Sequence, residues 1–138
     1  MNMRFILDSN IWIAILRRQT NPINKLREST LDGHDILVTA VEYFEVMRGL
    51  RLRGNLEAIN YLNNLWATLT FCEADQTIWD AAIGLWVKAV KENQKREDSD
   101  ILLAAFATCH RATIVTNNTK DFSFFEIELE DWTTPLQR

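Results

Sequence analysis

Histidine, cysteine, proline and glycine are scarce in this chain: two, two, two and four residues among 138. Cys72 and Cys109 form no CxxC pair and have no histidine at ligand spacing, which excludes a thiolate zinc site and fits thiols kept reduced in a cytosol. His34 and His110 are far apart in sequence, so a multi-histidine metal cage is excluded and any metal site must be built from oxygen ligands. Long hydrophobic runs are missing too. The longest, Ile101 to Ala107, falls well short of the ~20 residues of a membrane helix, and Asp8 interrupts the apolar start too early for a signal peptide. A soluble cytoplasmic protein with no membrane partner is the expectation. Positive charge is in deficit, 15 Lys+Arg against 19 Asp+Glu for a net charge of −4, which excludes a grip on long nucleic acid by phosphate neutralisation alone. Neither an internal repeat nor a low-complexity segment occurs.

What is present is an ordinary globular mixture, 47% hydrophobic and 25% charged, at a length suited to one domain spanning residues 1–138. Arg4 to Leu7 reads as a strand, and Asp8-Ser9-Asn10 supplies cap chemistry for a helix from Ile11 to Leu16. Pro22 suits the first turn of a second helix that Gly33 ends before a strand at Ile36–Thr39. From Ala40 to Arg51, Ala40, Tyr43, Phe44, Met47 and Leu50 recur at helical spacing, and Gly54-Asn55 turns the chain into a helix at Leu56–Leu65. Thr68–Phe71 reads as a third strand, Asp75 caps a helix reaching Glu92, and Lys91–Asp98 reads as a charged exposed loop. A nearly all-apolar helix, Ile101–His110, precedes a buried-type strand, Thr113–Thr116, closed by Asn117-Asn118. Strands alternating with helices predict a three-layer α/β/α domain around a mostly parallel sheet, with functional groups gathered at the carboxyl ends of the strands.

The acids fall where that architecture would collect them. Asp8 ends the first strand, Asp100 lies in the first turn of a buried helix, and Asn118 and Asp121 follow the last strand. Each also has a purely structural reading: Asp8 as a helix cap, Asp98 and Asp100 as partners of a helix dipole. Glu45 sits at the margin of an apolar helix face with Gly49 one turn on, where glycine costs ~1 kcal/mol against alanine. Clearance above the carboxylate for a metal or a phosphate would justify it, and so would the onset of the helix end. Carboxylates brought together repel one another, so such a cluster holds either a proton or a cation. Oxygen ligands alone select Mg²⁺ or Mn²⁺, the ions of phosphodiester hydrolysis.

Four segments in register carry a resemblance. Asp8-Ser9-Asn10, Glu45-Val46-Met47-Arg48-Gly49, Asp100-Ile101-Leu102-Leu103-Ala104-Ala105 and the run Val115 to Phe122 together resemble a PIN-domain ribonuclease, nearest in form to the VapC toxins of bacterial toxin–antitoxin pairs. The resemblance implies a PIN-like fold and a metal-dependent endoribonuclease, with Asp8, Glu45 and Asp100 as metal ligands. It implies RNA as substrate, transfer or ribosomal, a cognate antitoxin as partner, and a homodimer. The fourth acidic position of the family falls on Asn118, which leaves Asn118 or Asp121 to hold a water. Arg48, Arg51 and Arg53, with Arg17 and Arg18 after the first helix, are candidates to bracket an RNA backbone, or are solvated helix ends. With neither His nor Lys beside the acids as general base, a metal-activated water is the expected nucleophile, leaving 5′-phosphate and 3′-hydroxyl ends.

A catalytically idle domain that dimerises and binds a partner protein is the competing reading. Trp12, Trp66, Trp79 and Trp86 read as core and interface residues, with Trp79 and Trp86 on one helix face. A phosphoaspartate enzyme or receiver domain is disfavoured because Asn10 stands where a second Asp would be needed. Ser-His-Asp catalysis lacks a GxSxG elbow.

Overall fold

The computed structural model describes residues 2–134. Five strands, β1 (Arg4–Leu7), β2 (Asp35–Thr39), β3 (Thr70–Cys72), β4 (Thr113–Val115) and β5 (Leu129–Glu130), lie in the order β3-β2-β1-β4-β5, and every pairing is parallel. Between them run α1 (Ser9–Leu16), α2 (Thr20–Leu31), α3 (Ala40–Arg53), α4 (Leu56–Trp66), α5 (Gln76–Lys91), α6 (Asp98–His110) and α7 (Thr119–Phe122). The two-residue period of the strands builds two cores. Phe5, Leu7, Ile36, Val38 and Val115 pack against α1, α3 and α4, while Ile6, Leu37 and Ile114 pack against α5, α6 and α7. This is the expected three-layer α/β/α arrangement.

The topology fixes where a site can form. From β1 the chain builds outward through β2 and β3, then crosses to β4 and β5 on the other side, so the crossovers diverge between β1 and β4. A crevice opens at the carboxyl ends of two such strands. Asp8 follows β1 and Thr116 follows β4, and the Asp8 N–H donates to the Val115 carbonyl at 2.8 Å, holding the two ends together.

Three expectations are corrected. The helix predicted from Ile101 starts at Asp98, capped in position by Glu97, because the acids of its first turn suit the helix dipole and extend it into the charged segment. Helix α7 and strand β5 were not predicted; four and two residues are too few for a periodic signal. The buried face of α3 is Glu42, Val46, Met47 and Leu50, whereas Tyr43 and Phe44 are exposed, Phe44 by 61%. Glu42 replaces an apolar residue because it closes a capping box: its Oε2 accepts from the Thr39 N–H at 3.1 Å, and its Oε1 pairs with the Thr39 hydroxyl. Fully enclosed, its carboxyl is pushed up to about 8 by burial, so at neutral pH it is mostly an uncharged acid. Trp12 and Trp66 are core residues, their rings edge to face at 5.7 Å, while Trp79 and Trp86 are about half exposed on α5.

Candidate functional site

Asp8 is both cap and buried acid. Its position after β1 makes it the N-cap of α1, and its Oδ1 accepts from the Ser9 N–H at 2.8 Å. Its Oδ2 accepts from Thr116 Oγ1 at 3.0 Å and from Asn10 Nδ2 at 3.1 Å. Thr116 is fully buried at the end of β4, so a hydroxyl from one strand end aims a carboxylate at the other. Burial raises the Asp8 pKa, and the hydrogen bonds from Thr116, Ser9 and Asn10 oppose that shift without cancelling it.

Glu45 arrives from α3. Ser9 Oγ stands between the two acids, 3.5 Å from Asp8 Oδ1 and 3.4 Å from Glu45 Oε1, long contacts between which one hydroxyl proton is shared. Burial raises the Glu45 pKa first and the Asp8 charge second, offset by Ser9, Arg48 and Ser99. Asp100, in the first turn of α6, is pushed up to about 7, by burial and then by the charges of Asp8, Asp121, Glu45 and Glu97. Three carboxylates predicted from separate segments are thus coupled: Asp8 raises Glu45, and both raise Asp100.

The fourth acid comes from Asp121. It lines a cleft of about 710 Å³ with Lys95, Arg96, Asp98 and Asp100, carried there by the single turn of α7. Asn118 is exposed and caps α7 by position only, with no side-chain cap bond; its N–H donates to Thr116 Oγ1 at 3.0 Å. Sequence reasoning named Ser9 and Thr116 as parts of motifs but missed that they hold Asp8. Thr116 could have been found as the buried polar end of an otherwise apolar strand.

The donor set fits a hard divalent cation. It consists of carboxylate oxygens whose mutual repulsion a cation would relieve, with one amide oxygen nearby, Asn10 Oδ1, that is enclosed and without a protein partner. The fit is of charge and donor type. As the side chains stand, no three acidic, imidazole or thiol groups among the described residues are gathered round one point, so ligation would draw Glu45 and Asp100 toward Asp8.

The predicted arginines divide. Arg53 lies across Gly49 and, with Arg17, Glu45 and Leu50, lines a groove of about 510 Å³. Arg48 stacks over the Phe44 ring at 4.8 Å and lines a second, apolar groove of about 380 Å³ with Glu45, Ser99 and Trp79. Arg51 lines neither of these two grooves. Gly49 is interior to α3, which Gly54 ends in the left-handed conformation at φ 64°, so it is no helix terminus. A methyl group at Gly49 would meet Arg53 Nη2 at 3.5 Å, an ordinary contact, so the resting fold does not itself demand glycine there. The one ion pair among the described residues, Lys88–Glu126 at 4.0 Å, leaves these arginines without a bridging carboxylate.

Comparison with known proteins agrees with this layout. Ribonuclease VapC1 of Haemophilus influenzae (strain R2866) is 22% identical over 134 residues, covering 95% of this chain and 99% of that one. VapBC2 from Rickettsia felis, crystallised bound to a DNA fragment from its promoter, superposes with a TM-score of 0.85 at 22% identity, covering 94% of this chain and 99% of the other. VapBC-1 from nontypeable Haemophilus influenzae gives 0.81 at 20% identity, covering 96% and 100%. The PIN domain family model matches residues 5–127. That match runs from β1 through α7 and takes in Asp8, Glu45, Asp100, Asn118 and Asp121; the chain belongs to the PIN domain family.

Proposed function

We propose that this protein is a divalent-metal-dependent endoribonuclease, the toxin of a cytoplasmic toxin–antitoxin pair. The observation that carries the reading is the electrostatic coupling of Asp8, Glu45 and Asp100, which come from the end of β1, from α3 and from α6, each raised by burial and the latter two by neighbouring acids as well. A fold with no use for this cluster would gain by replacing it. The full-length likeness to a protein named Ribonuclease VapC1 supports the activity, and the VapBC complexes among the structural neighbours support a protein antitoxin as partner.

Asp8, Glu45 and Asp100 would hold Mg²⁺ or Mn²⁺, with Asp121 near enough to add charge and Asn118 beside Thr116 as a polar neighbour. A bound divalent cation supplies Lewis acidity, lowering the pKa of water and neutralising charge on the scissile phosphate. The chain's own groups do the positioning. Ser9, Asn10 and Thr116 fix the Asp8 carboxylate, and Arg17 and Arg53 offer paired cations to phosphates on the Glu45 side. Arg48 supports the neighbouring groove through its stack on Phe44. Water and not the 2′-hydroxyl of RNA is the proposed nucleophile, and its attack on the phosphate expels the 3′-oxygen to leave 5′-phosphate and 3′-hydroxyl ends. The apolar stripe of α5, Trp79, Ile83, Trp86 and Val90, is exposed at helical spacing and supports the homodimer.

End-labelled transfer and ribosomal RNA incubated with purified protein tests this. Cleavage should need Mg²⁺ or Mn²⁺, stop with EDTA, and give 5′-phosphate ends. Cleavage in EDTA with 2′,3′-cyclic phosphate ends refutes the metal mechanism. An inert protein that binds no Mn²⁺ by calorimetry favours the idle interaction domain.

A further inference from the structure

Beside the acids lies a second pocket of different chemistry. Asn10, Ile13, Ala14, Arg17, Gln19 and Asn117 enclose about 270 Å³, just below the ~300–1,000 Å³ of drug-sized sites and suited to one small planar group. It shares walls with the acidic crevice. The Asn10 amide donates to Asp8 at 3.1 Å, and Asn117 follows Thr116, whose hydroxyl donates to the same carboxylate oxygen. Arg17 also lines the groove that holds Glu45 and Arg53, so one cation borders both spaces.

The lining selects among ligands. Ile13 and Ala14 give an apolar floor, no carboxylate lines the pocket, and the Gln19 and Asn117 amides supply donors and acceptors together, the Asn10 amide being engaged with Asp8. A phosphate would face amide oxygens as well as donors, and the single arginine would be a thin charge for it. A nucleobase matches both parts: an apolar face for the floor and mixed hydrogen-bonding edges for the amides. Single-stranded RNA offers such a base splayed from its stack, and Asn and Gln pair best with adenine, which presents a donor beside an acceptor.

The backbone explains how the amides come together. Helix α1 ends with Arg18 at φ 59°, where glycine is the usual residue, and the N–H groups of Arg18 and Gln19 close back on the carbonyls of Ile15 and Ala14 at 3.0 and 3.1 Å. That turn brings Gln19 beside Asn10 and Arg17, while Arg18 borders a different groove, against α4. Gln19 occupies the N-cap position of α2 but makes no side-chain cap bond, so its amide is available.

We infer that this pocket seats one unstacked RNA base beside the scissile phosphate, adenine before the others, and that Gln19 and Asn117 are the residues that set the cleavage sequence. The inference rests on the ribonuclease reading above. The test is cleavage-site mapping on a random-sequence RNA pool with Mg²⁺, comparing wild type with Gln19→Ala, Asn117→Ala and the double variant, all checked for folding by thermal melts. Wild type should enrich adenine at one position next to the cut. The double variant should lose at least about fivefold of that enrichment, in line with a bidentate base contact, with the loss falling on adenine-containing sites more than on the others. In parallel, fluorescence anisotropy with Asp100→Asn and metal-free oligo(A) and oligo(U) should show a preference for oligo(A) that the two alanines remove. Wild type without base preference, a preference that survives the double variant, or an equal loss on every sequence each overturns the inference while leaving the nuclease reading intact. A wild type that cuts no RNA with either metal overturns the nuclease reading instead.

Discussion

Glu42 offers a measurement independent of catalysis. Its carboxyl lies in the core between α3 and the end of β2, bonded to Thr39, with Asp8 and the Cys72 thiol as the titratable groups near it. Its folded pKa is about 8 against an ordinary 4.5, raised by burial first. The sign follows from proton counting. Below pH 4.5 both the folded and unfolded chains hold the proton, so the neutral acid's contribution is complete. Between 4.5 and 8 the unfolded chain has released the proton and the folded chain retains it, so stability falls as pH rises, by up to about 1.4 kcal/mol per unit. From pH 5.5 to 7.5 that is on the order of 3 kcal/mol. Glu42→Gln keeps an acceptor for the Thr39 N–H and a donor for its hydroxyl but cannot ionise. Urea unfolding of wild type and variant across that range should show the variant gaining on wild type by about 3 kcal/mol. The raised pKa values of Asp8, Glu45 and Asp100 have the same sign in both proteins and drop out of the difference. Two parallel curves would refute the neutral buried acid, since a carboxyl ionised in both states exchanges no proton on unfolding over that range.

Asp8→Asn, Glu45→Gln and Asp100→Asn should each abolish RNA cleavage on a labelled-substrate gel without lowering the melting temperature of the metal-free protein, because each removes charge from a repulsive group at constant shape; a purified Asp100→Asn that cuts at the wild-type rate would sink the site assignment. Ile83→Glu or Trp86→Glu should convert a dimer to a monomer in sedimentation equilibrium at micromolar concentration, and dimers that persist would move the interface away from α5. Gly49→Ala should stabilise α3 by up to ~1 kcal/mol yet weaken RNA binding if the Arg53 groove seats a phosphate; unchanged affinity would return Gly49 to a neutral position. Replacing Arg17 and Arg53 by Gln should flatten the log–log salt dependence of RNA binding by ~0.7 per lost contact, whereas Arg51→Gln should leave the slope alone.

Asp8 and Asp100 stood out because each also punctuates an element. Asp8 ends a strand and caps a helix, and Asp100 sits in the first turn of another, so turn and cap chemistry marked them before any metal was considered. Glu45 stood out because a glycine lay one turn beyond it in an otherwise helical stretch. What stayed hidden depends on side-chain direction. Glu42 drew no reading of its own from the sequence, although Thr39-x-x-Glu42 is a capping-box pattern; the pattern names the cap, while the enclosure comes from the packing of α3 onto the sheet. Asp121 adds its charge to the field on Asp100 from α7, and a turn of four residues leaves no period from which that facing could be read. The arginines separated for the same reason, since a basic stretch at the end of a helix points in several directions at once.

One physical cause joins the cost of this site to its chemistry. Burial is the largest influence on Asp8, Glu42, Glu45 and Asp100 alike, and in every case it favours the protonated acid. For Glu42 the proton stays, since its oxygens are taken up by Thr39 in a closed corner of the core. For Glu45 and Asp100 the outer side faces clefts that water and ions can enter, and there a divalent cation competes with the proton for the carboxylate oxygens. The low dielectric that makes three adjacent carboxylates expensive in the free protein also strengthens their hold on that cation. The two kinds of buried acid should therefore respond in opposite ways to Mn²⁺: thermal stability should rise with the ion in wild type and in Glu42→Gln alike, and the rise should disappear in Asp100→Asn.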